Sequence, residues 1–196
     1  MEKVKDYIKL YTDVVDPKLC NDMINYEFEY DIGEVNSNLS TENIKKLLEA
    51  ADIPDSLKQQ MNPVYTEDCW IKEKSKFYEE LKNTYKKSYV IYKKDFPMFN
   101  VNILTDFRIS RYSKGCSLNN HIDTIASSHG QKFGYPQVTV LLFLNDDYEG
   151  GEIVIADNVY KPPAGSAIVF PSNFMYPHEV LLIKEGTRHS VTCWLM

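Results

Sequence analysis

His121-Ile122-Asp123 is the first place along the chain where side chains able to do metal chemistry fall at a productive spacing. On an extended strand residues i and i+2 project to the same side, so one imidazole and one carboxylate can converge on a point. By itself the pair is weak evidence and reads more readily as a surface hydrogen bond. A second histidine follows in Tyr176-Pro177-His178-Glu179-Val180, inside a later run of strand character. Two imidazoles and one carboxylate on one face of a metal leave its other positions open to ligands. Ten residues further comes Arg188-His189-Ser190, in an alternating segment that runs to Trp194. There Arg188 and Ser190 share a face while His189 points away. A guanidinium fork backed by a hydroxyl suits the anchoring of a dicarboxylate.

These residues need a scaffold, and the sequence changes texture near Pro97. Before it, the patterns are helical. Asp16-Pro17 supplies an N-cap and a proline for the first turn of a helix running towards Tyr26. Ser40-Thr41-Glu42-Asn43 opens a second short helix to about Ala51. The third is expected from about Lys74 to Tyr92, with Phe77, Leu81, Tyr85, Tyr89 and Tyr92 as its apolar stripe. After Pro97, short β-branched or aromatic runs take over: Phe107–Tyr112, Val138–Leu144, Glu152–Ala156, Ser166–Phe170, Glu179–Ile183 and Arg188–Leu195. Turn residues such as Gly150-Gly151 and Pro162-Pro163-Ala164-Gly165 separate them. Strands that are short, closely spaced and uninterrupted by helix point to an antiparallel sandwich or jelly roll. An earlier strand within Tyr7–Val15 is expected to join the same sheet. The expected fold is therefore α+β, a double-stranded β-helix (jelly roll) buttressed by N-terminal helices. One domain is expected over residues 1–196, with 1–96 as mainly helical support carrying an N-terminal strand and 97–196 as the jelly-roll core. Phe170 and Trp194 are assigned to that core.

Composition narrows the function classes. The 196 residues include 22 Lys plus Arg and 28 Asp plus Glu, a net charge of −6. Such a balance, with no cluster of arginines, offers little attraction to phosphate, so nucleic acid is not an expected partner. Ile71–Lys94 runs the other way, with eight Lys and three Glu, and reads as a solvated helix face. No apolar stretch approaches a membrane span and Met1-Glu2-Lys3 opens no signal peptide, so no membrane partner and a cytoplasmic location are expected. Cys20, Cys69, Cys116 and Cys193 form no Cys-x-x-Cys pair and are read as buried structural thiols. Oligomeric state is not legible.

Taken in order, Phe107-Arg108-Ile109-Ser110-Arg111-Tyr112, His121-x-Asp123, Val138–Leu144 running into Asn145-Asp146, Gly150-Gly151-Glu152, Pro163–Phe170, His178 and Arg188 resemble one family. It is that of the Fe(II)- and 2-oxoglutarate-dependent dioxygenases, particularly the prolyl 4-hydroxylase-like branch. The resemblance covers residues 105–196, and more loosely the opening Tyr7–Ile24 looks like the start of small bacterial and phage members. It implies that His121, Asp123 and His178 are iron ligands and that Arg188 binds the distal carboxylate of 2-oxoglutarate. Ser190 fits the Arg-x-Ser pattern of some members. Tyr112 matches an aromatic whose hydroxyl often reaches the same carboxylate, although a core tyrosine reads equally well there. The formal charges of Fe(II), Asp123, 2-oxoglutarate and Arg188 cancel, as a site screened from water requires.

The implied activity is hydroxylation of a C–H bond, with succinate and CO2 as coproducts, Fe(II) as metal, 2-oxoglutarate as cosubstrate and ascorbate as a candidate reductant. Related halogenases replace the carboxylate ligand by a small residue, so Asp123 favours hydroxylation. A peptidyl residue, proline first, is the expected substrate. The alternatives are a free amino acid or small metabolite, and a jelly roll that binds metal and 2-oxoglutarate without turnover. Collagen-type members usually carry Lys where this chain has Arg188, so a collagen-like substrate is not implied. The polar stretch Thr124–Pro136 reads as a loop over the site mouth, with His129 as a loop residue and His189 as a packed or outward strand residue.

Overall fold

The computed structural model describes residues 3–35, 65–124 and 134–196. The expected helix at Ser40–Ala51, most of the Thr124–Pro136 loop and His129 lie outside those residues.

After a short turn of 3₁₀ helix at Val4–Tyr7, strand β1 covers Lys9–Tyr11, a small part of the expected Tyr7–Val15. Helix α1, Pro17–Ile24, starts as read: the Asp16 carboxylate accepts from the Lys18 amide at 2.7 Å and Pro17 occupies the first turn. It buries Leu19, Cys20 and Met23. Two strands that the sequence analysis missed follow, β2 at Asp31–Val35 and β3 at Tyr65–Ile71. The N-terminal half thus extends the sheet as well as supporting it. These strands escaped notice because β3 alternates charged or polar side chains on both faces rather than apolar with polar.

Helix α2 runs Tyr78–Asp95, starting later than expected. The preceding residues fold into turns instead, with the Ser75 amide bonded to the Lys72 carbonyl at 2.8 Å and the Tyr78 amide to the Ser75 carbonyl at 3.1 Å. Its apolar stripe packs as read, with Leu81, Tyr85 and Tyr92 buried and the lysines largely on the other faces. Glu79 and Glu80 lie in the first turn and Lys93 and Lys94 in the last, which suits the helix dipole.

The remaining strands are β4 (Phe107–Ser113), β5 (Leu118–His121), β6 (Val138–Phe143), β7 (Glu149–Gly150), β8 (Ile153–Ile155), β9 (Asn158–Tyr160), β10 (Ala167–Pro171), β11 (His178–Val180), β12 (Ile183–Glu185) and β13 (Thr187–Leu195). Every pairing among them is antiparallel. A seven-stranded sheet has the order β1-β10-β6-β13-β4-β3-β2, a four-stranded sheet β5-β11-β8-β9, and β12 pairs with β7 as a ribbon. The expected single strand Glu179–Ile183 is therefore two. Leu181 and Leu182 break it where the chain leaves one sheet for the ribbon, and β12 meets Gly150 there. Gly150 has φ +76°, and a Cβ on it would strike the Leu182 carbonyl, so the crossing needs glycine.

The large sheet is covered on both faces. One face carries Ile109, Val140, Leu142, Val169, Val191, Cys193 and Leu195 against α1 and α2. The other carries Leu141, Phe143, Ile168 and Phe170 against Ile153 and Ile155 of the small sheet. Period-two alternation then puts Arg188, Ser190, Thr192 and Trp194 on the face towards the small sheet. Phe170 is buried as expected; Trp194 is only half-buried, and its indole N–H has no partner among the described residues. It lies against Trp70 and Arg108 at the margin of the fold rather than within either core cluster. Cys20 and Cys193 are buried, whereas Cys69 and Cys116 are only partly so. No described helix is long and apolar enough to cross a membrane.

Candidate metal centre and cosubstrate cleft

Strand pairing is what brings the two distant histidines together. His178 on β11 sits in register with His121 at the end of β5, and the ring centroids lie 4.2 Å apart. Asp123 follows just past β5, with Oδ1 3.7 Å from His121 Nε2 and Oδ2 3.6 Å from His178 Nε2. One ligand atom from each of the three falls within 4.8 Å of the other two. His178 and Asp123 are nearly enclosed, and His121 is partly exposed.

Each imidazole is oriented by its own strand. His121 Nδ1 faces the Asn119 carbonyl at 2.8 Å and His178 Nδ1 faces the Tyr176 carbonyl at 3.1 Å. A carbonyl can only accept, so the proton belongs on Nδ1 and both Nε2 lone pairs point into the cluster. Burial holds His178 below the ordinary histidine pKa, against the pull of the Asp123 carboxylate, and so keeps it in the neutral form that ligates. Asp123 is held by the Thr139 hydroxyl, 2.5 Å from Oδ2, and Thr139 lies 2.8 Å from the Ser172 hydroxyl. A carboxylate oxygen accepts, so Thr139 donates to Asp123 and Ser172 donates to Thr139. Sequence reasoning missed this relay, because Thr139 and Ser172 read as ordinary strand and turn residues.

Arg188 is fully buried at 0% exposed, and none of its three guanidinium nitrogens has a partner among the described residues. Its guanidinium lies 4.8 Å from the Tyr112 ring centroid and 5.0 Å from that of Phe143. The Ser190 hydroxyl is likewise buried without a partner among the described residues, and the Tyr148 hydroxyl stands beside the guanidinium without closing a well-aligned hydrogen bond to it. Burial raises the Tyr148 phenol pKa, while the neighbouring Arg188 cation and its side-chain contact with the hydroxyl oppose that rise. Tyr148 is a further residue that the sequence analysis missed; a tyrosine in a loop of Asp and Gly carries no signal of its own. Tyr112 is buried, in register with Arg188, with its ring face towards the cation.

A buried cation without a counter-charge is strongly unfavourable, so this cleft has the chemistry of a receptor for an anion. Five guanidinium donors and two hydroxyls fit a carboxylate. The His-Asp-His set fits a divalent iron held on one face. Both groups that the sequence analysis implied are therefore compatible with the residues present. His189 lies on the opposite face of β13, buried near the helices, where it lines a cavity of about 520 Å³ with Cys20, Asn21 and Asp147. It takes no part in the metal cluster.

Residues 107–196 match the sequence pattern of the 2OG-Fe(II) oxygenase superfamily. Among curated relatives, a PKHD-type hydroxylase of Rippkaea orientalis is 40% identical over 92 residues, covering 44% of this chain and 40% of the relative. Another, from Acaryochloris marina, is 36% identical over 109 residues, covering 50% of this chain and 47% of the relative. The chain thus spans less than half the length of these relatives. In three dimensions it is similar to the viral collagen prolyl hydroxylase of Paramecium Bursaria Chlorella virus-1, with TM-score 0.66, 17% identity and 98% of each chain covered. A Trichoplax adhaerens prolyl hydroxylase, solved with a hypoxia inducible factor peptide fragment, gives TM-score 0.63 at 17% identity, covering 97% of this chain and 83% of that one. At such identities the likeness is one of fold.

Proposed function

Residues 107–196 being a segment of the 2OG-Fe(II) oxygenase superfamily, we propose that the chain is an Fe(II)- and 2-oxoglutarate-dependent hydroxylase of the prolyl 4-hydroxylase-like kind, acting on a peptidyl residue. The single observation that carries the reading is the Arg188 guanidinium, fully buried without a counter-charge among the described residues, on the same inward face of the large sheet as the Thr139 that holds Asp123 of the His-Asp-His cluster. A cation in that state calls for an anionic ligand, and a metal on that face calls for one that chelates.

In this reading His121, Asp123 and His178 hold iron, and Arg188 with Ser190 holds the distal carboxylate of 2-oxoglutarate. Tyr148 and Tyr112 wall the same pocket, Tyr148 with its hydroxyl near the guanidinium and Tyr112 with its ring beneath it. When bound, iron would supply the activation of O2, one oxygen atom going into the succinate that forms with CO2 from 2-oxoglutarate and the other into the substrate C–H bond. The chain's own work is geometric and electrostatic. The Asn119 and Tyr176 carbonyls fix the histidine tautomers, and Thr139 with Ser172 fixes the carboxylate. Phe143 and Tyr112 keep water from the guanidinium, which strengthens its hold on an anion. The interleaved antiparallel sheets support the jelly-roll form of this fold, and the peptide-bearing structural neighbour supports a peptidyl substrate.

Incubation with Fe(II), ascorbate, labelled 2-oxoglutarate and separate pools of peptides and metabolites tests the proposal. A one-oxygen mass gain on peptides together with labelled succinate is expected. Gain on metabolites alone would contradict the peptidyl substrate, and absence of succinate in every arm would contradict the enzyme.

A further inference from the structure

A second set of buried, unpartnered polar atoms lies further along the same face of the large sheet. Arg108 is on β4 and Asp68 on β3, with Arg108 in register with Trp70 and Asp68 with Ser110. The Arg108 guanidinium approaches the Asp68 carboxylate only to 3.7 Å and lies 4.9 Å from the Trp194 ring centroid. Arg108 Nε, Asp68 Oδ1 and Trp194 Nε1 are all buried without a hydrogen-bond partner among the described residues. The side chains of Arg108 and Asp68 are only 16% and 10% exposed. Leaving three such atoms unsatisfied in one place is costly, and a native fold keeps such groups where a ligand completes them.

The position of this set matters as much as its chemistry. Trp194 is in register with Thr139, the residue that donates to Asp123, so the three atoms flank the metal cluster. Arg188 and Tyr112 lie at the other end of the same two strands, beyond Ser190 and Ser110. The inward face thus has two polar pockets, one fitted to an anion and one not. In the second, a cation and a carboxylate cancel, so it offers two donors and one acceptor with no net charge. The Asp68 carboxylate lies across Gly33 of the neighbouring strand β2; a Cβ on Gly33 would strike Asp68 Oδ2 and Thr66 Oγ1. Trp70, 48% exposed with its ring centroid 6.1 Å from that of Trp194, continues the pocket to the surface.

We propose that Arg108, Asp68 and the Trp194 indole N–H form the substrate pocket and bind one amide of a peptide backbone next to the target residue. The amide carbonyl accepts from Arg108 and Trp194, and the amide N–H donates to Asp68. A neutral dipole fits this neutral pocket, whereas an isolated carboxylate would meet the Asp68 charge. The exposed Trp70 provides an aromatic shelf for the chain leading away from it. The inference rests on the hydroxylase reading above and specifies its substrate class.

The probe is a pool of N-acetylated, C-amidated hexapeptides with a central proline and randomised flanks, set against free proline and the other free amino acids. Iron-dependent succinate formation without added substrate checks the hydroxylase reading separately. The pocket predicts a one-oxygen gain on the blocked peptides. It also predicts that Trp194→Phe and Arg108→Met each raise the peptide KM about tenfold, as for loss of a buried hydrogen bond, while the 2-oxoglutarate KM moves by less than about twofold. Trp194→Phe keeps the ring and its packing, so it reports on the N–H if Arg108→Met fails to fold. Turnover of free amino acids with the blocked peptides untouched overturns the proposal. Succinate formation with neither probe hydroxylated, or variants that shift both KM values alike, also overturn it. Failure to form succinate at all removes the hydroxylase reading and this one with it.

Discussion

Arg188 is the residue on which most of the chemistry turns, and its state has a consequence for stability. Among the described residues this buried cation meets ring faces and a hydroxyl but no counter-charge, so it carries a desolvation cost that those contacts offset only in part. Arg188→Met is therefore expected to raise the unfolding free energy of the ligand-free protein by about 1–4 kcal/mol. The same variant should lose the rise in Tm that 2-oxoglutarate gives in the presence of Mn(II). Thermal melts with and without ligand check both halves; a lower ligand-free Tm would show that Arg188 is structural. Thr139 makes a second prediction. Thr139→Val keeps shape but removes the donor to Asp123, and loss of such an outer partner is expected to weaken metal affinity about 10–100-fold. Titration of Mn(II) into the wild type and the variant measures it. The order of motifs in the sequence singled out His121, Asp123, His178 and Arg188, and strand pairing brings the first three together while Arg188 lies on the inward face of β13. Thr139, Ser172, Tyr148 and the Asp68–Arg108 pair were not legible there, because each becomes a neighbour only once particular strands pair. Trp194 was misread because large aromatics usually sit in cores, and nothing local says that its N–H lacks a partner.

At the scale of elements, the site depends on β13 being held from behind. Tyr85 of α2 is fully buried, its hydroxyl donates to the Val191 carbonyl at 2.7 Å, and its ring stacks on Phe107 with centroids 5.0 Å apart. Tyr85→Phe removes that hydrogen bond while Val191 stays in the ladder between β4 and β6, and is expected to cost about 0.5–1.5 kcal/mol. Chemical denaturation should show a lower midpoint with an unchanged slope, and an unaltered midpoint would contradict the role given to this bond. The glycine-pinned crossing at Gly150 lets the chain turn from β11 into β12, and that turn lets β13 re-enter the large sheet with Arg188 facing inward. Most strands after Pro97 were legible from alternation and turn residues. The split of Glu179–Ile183 was not, since Leu181 and Leu182 continue the apolar run and only tertiary pairing separates its halves. In β3, Thr66, Asp68 and Trp70 face inward with little apolar character, so a functional surface hid the strand from a hydrophobic pattern.

Among the described residues the His-Asp-His cluster, Arg188 and the Arg108–Asp68 pair are all associated with the inward face of the large sheet, while the helices close its other face. The response of the whole molecule to acid follows from the buried histidines. Burial holds His189 below the ordinary histidine pKa, with the neighbouring Arg111 cation acting the same way. A histidine depressed in the fold contributes stability that is intact above the unfolded value of about 6.5 and is lost as pH falls through the folded value. His178 is shifted in the same direction. Unfolding free energy should therefore decline as pH drops below about 6.5. His189→Gln should make the decline shallower, as denaturation at a series of pH values would show, and an unchanged slope would contradict the shift. The acidic composition says nothing of where charge matters, because charges such as Arg188 and Asp123 lie inside the fold, where tertiary pairing of strands and not composition sets their surroundings. The most direct test of the central claim is the release of labelled succinate from 2-oxoglutarate by the wild-type chain, Asp123→Ala and Arg188→Ala, with Fe(II) supplied. The account predicts iron-dependent succinate from the wild type and none from either variant. Equal turnover in all three would contradict it.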